Sequence, residues 1–323
     1  MRDAKRDAKQ DDCLHRFLFD HSSVRGELVQ LVEPWHAVLE RQDYPIEIRQ
    51  VLGEAFAAVA LLAATVKFDG SLIMQTKGDG PLKMLVVECT GKNTLRGLAH
   101  WRGDTSELAF HELMGRGYLA ITIDPGEGKD RYQGIVELGG VSLAACVERY
   151  FAQSEQLPTR LWLACDERQV AGLMLQKLPE QSAARMQQEM AQLVHAFKGS
   201  QTEQGPAEHD EDLWNRAVML ADTVTRDELL ELPAAQVLHR LFHEETMHVF
   251  RSPPLRFACR CSRERVANVL KSLGATELNE TLAQEGEITA SCEFCNSTYR
   301  FDRVDVDQLL ATGEFETISK LQH

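Results

Sequence analysis

Four of the chain's eight cysteines stand close together near its end, as Cys259-x-Cys261 and, after thirty intervening residues, Cys292-x-x-Cys295. No other feature limits the fold as strongly. The segment from about residue 251 to residue 323 is too short for an apolar core to hold it without a staple. Four thiolates presented by two tight knuckles match the tetrahedral, all-sulfur coordination of structural zinc, and so soft a donor set excludes calcium and magnesium. One zinc ion per chain, bound by Cys259, Cys261, Cys292 and Cys295, is therefore expected. An iron–sulfur cluster and unrelated buried thiols are the competing readings. Arg263, Arg265 and Arg300 lie close by in sequence. Such cations either favour the thiolate, the form that binds metal and meets oxidants, or offset the negative charge of a four-thiolate centre.

With 323 residues, 44% of them hydrophobic and 26% charged, the chain has the make-up of a soluble globular protein with two folded units and connecting material. Its longest apolar run, AFAAVALLAATV, is too short to span a bilayer and reads as a buried core helix, so no membrane is expected as a partner. The opening MRDAKRDAKQDD, residues 1 to 12, has four basic and four acidic side chains and no apolar stretch, and reads as a mobile extension instead of an export signal. The expected location is the cytoplasm, where paired cysteines more often bind metal or sense oxidants than staple a fold. A formal charge of −14 argues against nucleic acid as a general partner, because a phosphate-binding surface must be basic.

Residues 13 to 180 alternate helix-like and strand-like patterns. VRGELVQLV reads as a strand leading into a helix at EPWHAVLERQ, and Pro45 opens a long helix through PIEIRQVLGEAFAAVALLAATVKF. SLIMQTKG and PLKMLVVECT flank a Gly78-Asp79-Gly80 turn; TLRGLAHW, GYLAITID, RYQGIVELG, TRLWLA and VAGLMLQKL are further strands, with a helix at VSLAACVERYFAQSEQ. The prediction is an α+β core domain with a mixed or antiparallel sheet and packed helices. Residues 181 to 250 read as a helical linker, with apolar stripes at Trp214, Ala217, Val218 and Ala221 and at Val237, Leu238, Leu241 and Phe242, broken at Gly205-Pro206 and Leu232-Pro233. Short amphipathic helices of this kind depend on docking for stability. Residues 201 to 250 also carry eleven acidic and three basic side chains, whereas residues 251 to 265 carry five arginines against Glu264, which marks a boundary near 250 and a cysteine domain over 251–323.

Several other patterns carry no chemistry. Gly126-Glu127-Gly128-Lys129 lacks the Ser or Thr that a phosphate loop needs, and a turn between strands suits it better. His111-Glu112 has no second histidine at metalloprotease spacing, and His239 and His243 share a helix face without an evident third ligand. Cys13, Cys89, Cys146 and Cys165 are scattered and read as core residues, with Cys13, near the terminus, the candidate for a reactive thiol. Two rival functions remain: a zinc-ribbon module on nucleic acid, opposed by the acidity, and a thiol–disulfide oxidoreductase using CEFC, which would not need the upstream pair.

From Leu14 onward the sequence resembles the redox-regulated heat-shock chaperones of the thirty-three-kilodalton class, the 33 kDa chaperonin family. The resemblance rests on LHRFLFD, VRGELV, Tyr44-Pro45, KFDG, GDGP, GYLAITI, RYQGIVEL, LAACVERYF, SEQLPTRL, DELLELPAAQVLHRLFHEE, CRCSRER and the closing CEFC with Tyr299 and Phe301. It implies a non-enzymatic, ATP-independent holdase for unfolding proteins, inactive when reduced and zinc-bound. It further implies an active form with Cys259 paired to Cys261 and Cys292 to Cys295, in which the cysteine domain and linker unfold and homodimers form. The sequence departs from the family at Asn296, where a glycine commonly follows the last cysteine; asparagine tolerates the left-handed conformation, so the turn is expected to survive.

Magnitudes favour such a switch. Zinc contributes about 10–16 kcal/mol to the folding of small metallo-domains. Disulfides between near neighbours close loops of only three or four residues and contribute about 1.5–2 kcal/mol each. Local bridges cannot replace the metal, so oxidation is expected to unfold the cysteine domain.

Overall fold

A computed structural model describes residues 12–20, 22–66, 70–126, 128–179 and 207–319. The expected extension, apart from Asp12, and the first part of the expected linker, through the Gly205-Pro206 break, lie outside these residues. The chain divides into two compact units, Met1–Ala258 and Cys259–His323.

The first unit is organised around one helix. α1 (Glu33–Leu39) precedes it, and α2 (Ile46–Thr65) begins directly after Pro45. Twelve of the twenty α2 residues are buried, on every side of the helix, so it must be covered from more than one direction. Two sheets do this. One has five antiparallel strands in the order β10-β1-β2-β9-β8, with β1 at Leu14–Phe19, β2 at Val24–Leu31, β8 at Thr159–Cys165, β9 at Val170–Lys177 and β10 at Met247–Arg251. The other has six in the order β11-β5-β4-β3-β6-β7: β3 (Ser71–Gly78), β4 (Leu82–Thr90), β5 (Thr94–Trp101), β6 (Gly117–Asp124), β7 (Tyr132–Glu137) and β11 (Arg256–Phe257), the last joined to β5 in parallel. α2 packs on β2, β8 and β9 of one sheet and on β3, β4 and β5 of the other. The class is α+β, as the sequence predicts, with two sheets in place of one because α2, buried on both sides, separates them. Gly53 lets α2 approach the first sheet: a Cβ there would stand 2.2 Å from Cys165 Sγ. The short α3 (Phe110–Met114) and α4 (Leu143–Tyr150) complete the layer.

The five-stranded sheet has a second apolar face, and three helices cover it. These are α5 (Ala207–Ala221), α6 (Arg226–Glu231) and α7 (Ala234–Phe242). Leu28, Leu173 and Leu175 of the sheet share a core cluster with Ala217, Leu230 and Leu241 of the helices. Phe242 has its ring centroid 5.7 Å from that of Phe17 and 5.2 Å from that of Phe19. The α7 stripe is the one expected. On α5 the buried side is turned: Leu213, Ala217 and Ala221 are buried, while Trp214 and Val218 are only half-covered.

Two local findings amend the sequence reading. Asp12, grouped with the extension, is buried, and its Oδ1 accepts hydrogen bonds from Val32 N at 2.6 Å and Glu33 N at 3.2 Å, capping α1. Cys13 is 2% exposed, so its thiol is closed to solvent despite its place near the terminus. Cys89, Cys146 and Cys165 are buried as expected, and burial pushes the Cys89 thiol up to about 12.

The second unit is small. α8 (Arg263–Leu273) and α9 (Ala275–Glu285) precede a hairpin of β12 (Ile288–Ser291) and β13 (Thr298–Phe301), followed by α10 (Arg303–Ser319). Among the described residues its core cluster has seven buried side chains, with Val306 the most enclosed, a small core for such a unit.

Candidate metal centre

The cysteines are set by two different local structures. Cys259 and Cys261 lie in irregular chain that ends at Ser262, whose side chain accepts from Arg265 N and caps α8. Cys292 and Cys295 lie on the loop of the β12–β13 hairpin. There the ladder, which ends at Ser291 opposite Thr298, is extended by Cys292 N donating to Ser297 O at 2.9 Å. Cys295 N and Asn296 N both turn back to Cys292 O, at 3.3 and 2.7 Å. Asn296 takes φ 56°, the left-handed conformation expected of the residue standing where the family commonly has glycine.

These two knuckles bring all four Sγ atoms within 4.8 Å of one another. Cys259 and Cys292 Sγ are 3.7 Å apart, Cys261 and Cys295 Sγ 3.3 Å, and all four are reduced thiols of intermediate exposure. Four sulfurs around one ion at metal–sulfur distances of about 2.3 Å stand about 3.8 Å apart, so a small inward or outward adjustment of each seats the ion. The donor set and its spacing thus fit a four-sulfur metal site. Among the described residues it is the one such group of histidines, cysteines and carboxylates.

The thiols are not equivalent. Burial pushes Cys292 up to about 12 and also raises Cys261. At Cys295 burial acts in the same direction, but hydrogen bonds from the Ser297 side chain and backbone, together with those to Cys261 and Cys259, outweigh it and bring the thiol down to about 6. The Ser297 Oγ is 3.2 Å from Cys295 Sγ, and the Tyr299 hydroxyl is 3.1 Å from Cys261 Sγ. Neither Ser297 nor Tyr299 has a role that spacing reveals; each is visible only once the hairpin register is known.

The arginines serve the unit's architecture. Arg263 donates to Arg300 O and to Asp305 Oδ2, both at 2.6 Å, and lies 4.4 Å over the Phe301 ring. Arg265 donates to Arg260 O at 2.9 Å, and Arg300 pairs with Glu287 at 3.6 Å. The CEFC pair sits on a hairpin loop and not at a helix N-terminus, which removes the structural setting of a thiol oxidoreductase. The other patterns resolve as expected: Gly126 and Gly128 have positive φ between β6 and β7, the Glu112 carboxylate accepts from Ala109 N at the start of α3, and His239 and His243 are exposed.

Comparison with known proteins agrees with the geometry. Residues 12–302 match the sequence model described as Hsp33 protein. The 33 kDa chaperonin of Nitrosococcus oceani is 46% identical over 97% of this chain and 99% of its own, and that of Methylobacillus flagellatus 43% identical over 93% and 95%. The crystal structure of the 33 kDa chaperonin of Thermotoga maritima, at 22% identity, has the same fold, with a TM-score of 0.73 over 94% of this chain and 99% of that one. With a four-cysteine cluster in the second unit and this likeness over nearly its whole length, the chain belongs to the Hsp33 family, a family of chaperones and not of enzymes.

Proposed function

We propose that this protein is a redox-regulated holdase of the bacterial cytoplasm, which captures unfolding proteins without ATP when its four cysteines are oxidised. The observation that carries the proposal is the convergence of four thiols, from segments more than thirty residues apart, into one group within 4.8 Å. In the reduced state Cys259, Cys261, Cys292 and Cys295 hold zinc, which supplies a cross-link that the seven-residue core cannot supply itself.

Oxidation then removes the ligands. Each pair of thiols loses two protons and two electrons to form one disulfide, and an oxidant of the peroxide class takes them up, one peroxide giving two waters. The pairing Cys259–Cys261 and Cys292–Cys295 follows from the family resemblance, and energetics show why the switch needs it. Bridges across the knuckles, such as Cys259–Cys292, would close loops of over thirty residues and stabilise the unit by about 3.8 kcal/mol each, whereas local bridges give about 1.5–2 kcal/mol. Cross-knuckle pairing would keep the hairpin tied to the chain before α8. Local pairing lets it go.

The client-binding surface is the five-stranded sheet face beneath α5, α6 and α7, together with the apolar sides of those helices. That face presents Phe17, Phe19, Leu28, Leu173 and Leu175, enough contiguous apolar surface to hold an unfolding chain. The acidic linker keeps the loaded complex in solution. Released apolar faces also give the oxidised protein a reason to dimerise.

The test follows metal release with a chromogenic chelator during peroxide treatment at mild heat, alongside light scattering from an aggregating client and mapping of the disulfides. Metal loss, local disulfides and suppressed scattering should appear together. Metal loss with no suppression would reduce the cluster to a structural site.

A further inference from the structure

Helix α6 ends in a way that leaves its own carbonyls without helical partners. Leu229 O would ordinarily accept from the residue four positions on, but that residue is Pro233, which has no N–H. Leu230 lies in the last turn of the helix, which stops at Glu231 as Leu232 turns extended, at ψ 140°. Leu232 O would look to Gln236 N, which instead donates to Pro233 O at 2.8 Å. Three consecutive-turn carbonyls are thus directed at the sheet.

Two glutamines meet them. Gln30, on β2, donates through Nε2 to Leu229 O at 2.9 Å and Leu232 O at 2.8 Å, using both of its amide hydrogens. Gln169, in the turn before β9, donates through Nε2 to Leu230 O at 2.6 Å. Both glutamines are buried, at 6% and 7% exposure. A buried amide is retained in such a place only where it finds partners, and here all three partners belong to the linker.

We propose that Gln30 and Gln169 form a polar latch that holds α6 closed on the sheet and sets how readily the linker opens, independently of the cysteines. The inference rests on the reading that α5–α7 must leave the sheet for clients to bind. α6 has only six residues and cannot persist undocked, so it is the element at which a small change in docking has the largest effect. When the linker opens, water satisfies both the amides and the carbonyls. When a residue without donors replaces Gln30, Leu229 O and Leu232 O are left dry in the closed state alone, so the whole penalty falls on closure.

The experiment uses Gln30→Met, Gln169→Met and the double variant, since methionine matches glutamine in length and shape but carries no donor. Hydrogen exchange of the reduced, metal-loaded protein is followed at residues 226–242 and at α2, with metal content checked by chelator titration. Gln30→Met is expected to raise the open fraction at 226–242 about tenfold, Gln169→Met less, and the double variant more than either, at unchanged α2 protection and unchanged metal content. Gln236→Met, on the exposed side of α7, should change nothing. Unchanged exchange at 226–242 in the double variant overturns the latch, and so does a rise that α2 shares. Client capture by the reduced double variant, read by light scattering, would support both the latch and the client surface. An opened linker that captures nothing would uphold the latch and remove the sheet face as the client site.

Discussion

The phenolic hydroxyl of Tyr299 lies 3.1 Å from the sulfur of Cys261 and donates its proton to it. That hydrogen bond is the main reason the Tyr299 phenol is pushed up to about 12, so it remains a donor across the working pH range. A donor to a ligand sulfur orients that sulfur and tempers its charge. Tyr299→Phe keeps the ring and removes the bond. Metal affinity, measured by competition against a chromogenic chelator, should fall about tenfold, with faster metal loss under peroxide. An affinity equal to that of the parent would show that Tyr299 only packs.

Cys292→Ser removes one of the four sulfurs and should weaken metal binding beyond detection in the same competition, because three sulfurs cannot close the site. The cysteine unit should lose its amide protection with no oxidant added. Client capture should then no longer depend on peroxide, and a variant that keeps full metal and normal switching would contradict the proposed ligand role.

Phe242 is fully buried against Phe17 and Phe19, at the end of the helices that cover the sheet. Phe242→Ala leaves a cavity at that junction and should cost about 3–5 kcal/mol of docking energy. The expected result is faster exchange throughout residues 226–242 and measurable client capture by the reduced protein. Because Phe242 carries no hydrogen bond of the latch, this effect should add to that of Gln30→Met.

Glu54 gives the pH dependence. Burial raises its carboxyl from 4.5 to about 7, while the Gln50 amide and Arg226 of α6 pull it back. A carboxyl raised on folding adds stability that is complete below about 4.5 and is lost as pH rises through about 7. Glu54→Gln should therefore leave the melting temperature nearly unchanged at pH 5 and raise it by a few degrees at pH 8. Equal shifts at both pH values would assign the effect to packing.

The helix α2, the strands β2 through β9 and the cysteine cluster are legible in the sequence because each carries its signal locally: a run of apolar residues after Pro45, glycine-bounded alternation, two cysteine knuckles. The left-handed turn at Asn296 is legible for another reason, the resemblance to a family in which glycine commonly stands at that place. What escaped depends on a distant partner. β10 and β11 are five and two residues long, and only their pairing with β1 and β5 makes them strands. Gln30 and Gln169 look like ordinary surface residues until the fold sets the last turn of α6 against them. The buried side of α5 is set by the sheet on which it rests, and the periodicity of Trp214, Ala217, Val218 and Ala221 alone does not choose between adjacent faces.

Between the last linker helix and Cys259 the chain is stitched into both sheets. Met247–Arg251 runs beside β1, Ser252 N and Leu255 N donate to Leu14 O and Asp12 O at 2.8 Å, Arg256–Phe257 runs beside β5, and Ala258 N reaches Leu95 O at 3.2 Å. Arg41 lies 4.3 Å over the Phe257 ring. Slackening at residue 259 therefore meets a seam before it meets a helix, and the seam must be ripped row by row. Under the proposed switch, such a firebreak would let a passing oxidant pulse burn out at the sulfurs and would commit the chaperone only when heat or persistence carries the damage across.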